Sequence, residues 1–219
     1  MISHIHKENL MELSNNISEA IRYITEYSSK TPDFLKYLII MKKNIQICIE
    51  CNYDGIEELS KYLCEDWRQL FKGNDGIESW YIPIDNIDLK ACTNIMLEDC
   101  LEKIDRLLNV NFFIKRKWYS EKELKNMGKS FYQYKKNWNS IINDIQKNNG
   151  CIKSPITQIP NDIWMFAKYF LCVASTDEIL KKWFFSDIPA FGYIAPVEMT
   201  KLENGNDILR TFLVNAHLL

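Results

Sequence analysis

Glycine and proline are scarce, seven and six in 219 residues. So few turn-formers argue against a many-stranded β fold and favour long helices. Histidine is scarcer still: three copies, at positions 4, 6 and 217 near the chain ends, leave little of the residue on which acid–base and zinc sites most often depend. No HExxH, GxSxG, P-loop or dinucleotide fingerprint occurs, so no catalytic residue, metal or cofactor is expected from a motif. A site assembled from scattered residues stays open. The most apolar window, Ile163 to Ala174, is interrupted by Lys168 and is shorter than the ~20 residues a bilayer span requires. The start, MISHIHKENLMELSNN, lacks the basic residues and apolar run of a signal peptide. A net charge of −2 supplies no global field for nucleic acid or anionic lipid. The seven cysteines are an odd number, and reduced thiols in a cytoplasm are the simplest reading.

What is present is an ordinary globular balance, 47% hydrophobic and 26% charged, which argues against disorder. Leu10, Leu13, Ile17, Ile21 and Ile24 recur at helical spacing, and Thr31-Pro32 ends that helix. FLKYLIIMKKNIQICIEC reads as helix in its first half, whereas Ile45, Ile47 and Ile49 alternate as in a strand; helix is favoured throughout. Asp54 and Glu57 form a capping pair for a helix to Phe71, and Pro83 allows no more than a short edge strand over 77–84. A helix from Ile87 to Leu108 should bury Leu89, Cys92, Ile95 or Met96, and Ile104. Ser120 and Glu123 form the capping box of one long helix to Gly150, striped by Leu124, Met127, Phe131, Tyr134, Trp138, Ile141 and Ile145. Asn161 caps a helix apolar nearly all round, Ser175 and Glu178 cap a short one, and Pro196 and Asn206 open the last two. The fold class is therefore mainly α, a multi-helix bundle of about eight helices. The proline-bearing linker CIKSPITQIP divides a helical domain, 1–150, from a small one, 158–219, unless the two are continuous.

Cys48-x-x-Cys51 has redox or zinc spacing, but no second CxxC or HxxxH completes a ligand set. Glu98, Glu102 and Asp105 share one helical face; with Lys103 and Arg106 interleaved, a solvated face is expected. Asp66 stands beside Trp67, which would raise its pKa if buried. Charge is unevenly placed, with 13 acidic against 6 basic side chains over 54–110 and 3 against 10 over 111–153. The basic stretch 115–138 interleaves lysines with aromatics, the composition of a single-strand nucleic-acid platform. The plainer reading is that the aromatics pack inward while the lysines face water or pair with the acidic segment, so nucleic acid is not the favoured partner.

The stretch KKWFFSDIPAFGYIAPVEMTKLENGNDILRTFL holds an apolar loop, which is either packed on a core or kept for a partner. Trp183, Phe184, Ala190, Phe191, Gly192, Pro196, Gly205, Ile208 and Leu209 form a pattern that resembles the toxin-binding domain of Xre/MbcA/ParS-type antitoxins. The resemblance implies a helical module without catalysis that engages a cognate, NAD-consuming toxin. The chain reads Tyr193-Ile194-Ala195 where that family usually carries a basic residue before the proline. On this reading Phe191, Tyr193, Ile194 and Pro196 bind the partner, with the loop lying across the helix Ile163 to Ala174, while Trp183 is core. An immunity-type protein would instead offer the acidic segment 54–110 to a basic toxin. An antitoxin or immunity-type protein is the expected function.

Overall fold

The computed structural model describes residues 5–73, 76–171 and 176–218. It is 67% helical, and among the described residues there are ten α-helices and no strand. The chain divides into two compact units, Met1–Arg116 and Lys117–Leu219. The expected boundary at 150–158 is thus displaced. Trp138 of the second unit stacks on Phe166 at 4.6 Å and its indole N–H donates to Asp162 at 2.9 Å. These contacts bind the helices on either side of the proline-bearing linker into one core.

In the first unit, α1 (Leu10–Tyr27) buries Leu10, Leu13, Ile17, Ala20 and Ile24, one face at three- and four-residue spacing. Helix α2 (Leu35–Glu50) is continuous, with Ile45 and Cys48 inward and Ile47 outward. Helix α3 (Ile56–Gln69) begins at Gly55 without a side-chain cap, so Asp54 and Glu57 do not act as the expected capping pair. Helix α4 (Ile87–Leu108) starts at Asn86, whose side chain accepts from the Leu89 N–H. Helices α1 and α2 pack together, as do α2 and α3, α3 and α4, and α4 and α1, closing a ring around the core.

Helix α4 presents a different face from the one its apolar residues suggest. Leu89, Cys92, Ile95 and Met96 are exposed, and of the expected set only Ile104 is buried. The buried stripe is Ala91, Asn94, Leu97, Glu98, Leu101, Ile104, Asp105 and Leu108. Its polar members are inward because each is satisfied there. Asn94 accepts from the Ile82 N–H at 2.8 Å and donates to the Ile82 carbonyl at 3.0 Å. Residues 77–84 form no strand; this amide takes the place a neighbouring strand would hold. Asp105 accepts from the Trp67 indole at 2.7 Å and the Phe112 N–H at 3.1 Å. Glu98 accepts from Arg116 Nε at 2.6 Å and the Arg116 N–H at 2.9 Å. The solvated face expected for Glu98 and Asp105 is a clamp on the following segment. Glu102 remains at the surface and pairs with Arg106 and Lys115.

In the second unit, Ser120 and Glu123 complete the capping box of α5 (Glu121–Ser130). The expected long helix is interrupted by a 3₁₀ turn, Phe131–Gln133, before α6 (Lys135–Asn149). The break turns Phe131 inward against Trp138 and shifts the buried face from Ile141 to Ile142. Gly128 lets α10 (Gly205–Leu218) approach closely: a Cβ there would lie 2.9 Å from Ile208 Cγ1. Helix α7 (Asn161–Phe170) buries five consecutive residues from Ile163 to Ala167. Pro160 takes its N-cap position, and Asn161 instead accepts from the Ser154 N–H. Helix α8 (Asp177–Phe184) is capped by Thr176, and Ser175 lies outside the described residues. Pro196 opens α9 (Pro196–Met199).

Candidate functional site

The apolar loop is core. Phe191 is 5% exposed and Tyr193 7%, and Ile194 and Pro196 are buried as well. Phe191 lies 4.5 Å from Phe212 and 5.8 Å from Trp183 between ring centroids, and Tyr193 stacks on Trp118 at 4.9 Å. The backbone closes on itself, with the Tyr193 N–H donating to the Ile188 carbonyl at 3.0 Å. Gly192 has φ +70°, and a Cβ on it would meet Tyr119 at 2.9 Å. The four residues expected to grip a partner are therefore enclosed, because their aromatic area is used against rings of their own unit. Trp183, expected in the core, is half-buried, and the adjacent Phe185 is exposed. Most of the pattern behind the antitoxin resemblance (Phe184, Phe191, Gly192, Pro196, Gly205, Ile208 and Leu209) is buried. These residues pack within the second unit.

Two concavities stand out among the described residues. In the first unit a groove of about 380 Å³ opens between α2 and α3, bordered by Ile47, Cys48, Cys51, Leu59 and Tyr62. Ile47 is 48% exposed and Tyr62 62%. Its charged borders are Asp54 and Glu58, and no cation lines it. The CxxC belongs to the end of α2. Asn52 has φ 55°, its N–H donates to the Ile49 carbonyl at 3.1 Å, and the Tyr53 N–H donates to the Cys48 carbonyl at 2.8 Å. This is a Schellman ending with asparagine at the left-handed position. The negative end of the helix dipole disfavours a thiolate, opposite to the helix N-terminus that activates redox cysteines. Burial pushes the Cys48 thiol up, and Cys51 and Asp54 add to the effect. The two thiols act as apolar lining. Among the described residues no cluster of three or more His, Cys, Asp or Glu side chains is placed to hold a metal ion.

In the second unit a cleft of about 420 Å³ lies over a charged floor. Asp162 accepts from Arg210 Nε at 2.8 Å, and Arg210 Nη1 donates to Asp207 at 2.6 Å. Burial works to raise the Asp162 pKa, but the hydrogen bonds and charge of Arg210 and the Trp138 indole outweigh it and hold the carboxyl below its usual value. Phe131 and Trp138 wall the cleft; Lys129, Tyr132, Lys135 and Asn139 stand around them. Tyr132 is 72% exposed. The rest of the stretch 115–138 is committed elsewhere. Lys115 pairs with Asp99 and Glu102, Arg116 with Glu98, and Trp118, Tyr119, Phe131 and Trp138 are buried. A continuous stacking platform is not formed.

Asp66 is half-buried, and desolvation with Glu65 beside it raises its pKa. The inward ring, Trp67, is paired with Asp105 rather than with its neighbour. His6 is exposed, and His4 and the side chain of His217 lie outside the described residues. No helix among the described residues is long and apolar enough to cross a membrane. Sequence reasoning missed Asp162, Asp207 and Arg210 as a group, since Asp162 and Arg210 are 48 residues apart. The D-x-x-R spacing of Asp207 and Arg210 on one helix was the available signal. No protein-family model, curated protein or solved structure matches this chain.

Proposed function

We propose that this chain is a non-catalytic protein-binding module of the antitoxin or immunity type, and that it restrains a basic partner through the α2–α3 groove. The observation that supports this reading is the pairing of two strongly exposed apolar side chains, Ile47 and Tyr62, with an acidic border of Asp54 and Glu58. An aromatic anchor beside an aliphatic one supplies contact area at low entropic cost. The carboxylates select a cationic, amphipathic surface and speed its encounter. The groove carries the Cys48 thiol, which burial pushes up and so makes less nucleophilic, favouring binding over chemistry.

The test is affinity capture from the native host with the full chain, run in parallel with Ile47→Asp and Tyr62→Ala. A basic protein retained by the parent chain, released by moderate salt and lost from both variants supports the proposal. A partner held equally by all three chains, or an acidic one, sinks it.

A further inference from the structure

We infer that the cleft of the second unit binds a nucleoside phosphate. The site belongs to a different unit from the α2–α3 groove and does not depend on the reading given to it. A cleft of about 420 Å³ is within the range of small-ligand sites and suits one nucleotide. Lys129 and Lys135 flank the 3₁₀ turn that carries Tyr132, so two cations and one aromatic ring border the same opening. Both lysines are exposed, and among the described residues neither is paired with a carboxylate. Their charge is thus available to a phosphate. The floor, two carboxylates sharing one guanidinium, offsets only part of it, and with both lysines the lining keeps a positive excess.

The chemistry favours more than a bare anion. Tyr132 is 72% exposed and offers a free ring face, on which a base can stack. The exposed amides of Asn139 and Asn204 supply donors and acceptors for a base edge or ribose hydroxyls. A free nucleotide and the terminal nucleotide of a single strand present the same chemistry here.

Calorimetric titration of the full chain with AMP, GMP, CMP and UMP, with adenosine, with inorganic phosphate, with a phosphoserine peptide and with a ten-nucleotide single strand tests the site. At least one mononucleotide or the oligonucleotide should bind, and at least tenfold more tightly than adenosine or phosphate. Lys129→Ala, Lys135→Ala and Tyr132→Ala should each weaken that binding about tenfold without lowering the melting temperature. Tighter oligonucleotide binding assigns the site to a strand end, and tighter mononucleotide binding to a free nucleotide. Either supports the site. Absence of binding at millimolar ligand, equal affinity for inorganic phosphate, tighter binding of a phosphopeptide, or indifference to all three substitutions overturns it.

Discussion

Each unit holds an arginine–carboxylate centre withdrawn from solvent, unlike the exposed pairs of Arg22 and Arg106, and the two centres are put to different uses. Glu98 and Arg116 in the first unit are 2% and 15% exposed; Asp162 and Arg210 in the second are 27% and 20%. Arg116 also donates to the carbonyls of Glu78 and Trp80, so that ion pair holds two irregular segments against α4. Arg210 is shared between two carboxylates and floors an open cleft. The first centre is a fastening that is mostly enclosed. The second leaves one side to solvent. The same chemistry becomes structural or accessible according to whether backbone fills the space around it.

The aromatic partition is the most severe test of that contrast. Phe191→Ala should destabilise the chain by about 3–5 kcal/mol, as for a fully packed ring, whereas Trp183→Ala should cost less than half as much. Chemical denaturation of both variants checks this, and the reverse order would return the loop to the surface.

Glu98→Gln should cost about 3 kcal/mol, since Arg116 would stay enclosed without its counter-charge. Asp162→Asn should cost about 2 kcal/mol, because Arg210 keeps Asp207 and partial hydration. Equal losses in denaturant titrations would erase the distinction between the two centres.

The pH dependence sharpens it. The Asp162 carboxyl is held below its ordinary value, so its contribution is complete above the unfolded carboxylate pKa, about 4. It is lost as pH falls through the lower folded value. The stability gap between the parent chain and Asp162→Asn should therefore close below about pH 4. A gap that is constant down to pH 2 would show that the charge contributes nothing.

The smallest effects are expected at the concavities. Ile47→Asp and Tyr132→Ala should each change stability by less than about 0.5 kcal/mol, because both side chains project into solvent. A larger loss at either position would mark it as packed.

Helix positions were well legible in the sequence. Ile87–Leu108, the Leu10 stripe, the Ser120 box and Pro196 all fall where apolar period and capping chemistry place them. Facing was less legible. Periodicity counts polar residues as outward, yet Asn94, Glu98 and Asp105 point inward because their partners arrive from segments distant in sequence. The break at Phe131 is likewise tertiary, since nothing local in Phe131-Tyr132-Gln133 forbids a continued helix. Of the cleft, Lys129, Tyr132 and Lys135 lay in the basic-aromatic stretch already singled out. The floor did not, because an ion pair between α7 and α10 leaves no local pattern.

The amide of Asn94 has a consequence for solubility. An extended apolar stretch such as Tyr81-Ile82-Pro83-Ile84 is a template on which another chain can add a strand, provided its backbone groups are free. Asn94 occupies both the donor and the acceptor of Ile82, and Pro83 has no N–H to offer. A single side chain thereby occupies the Ile82 backbone groups that an added strand would need.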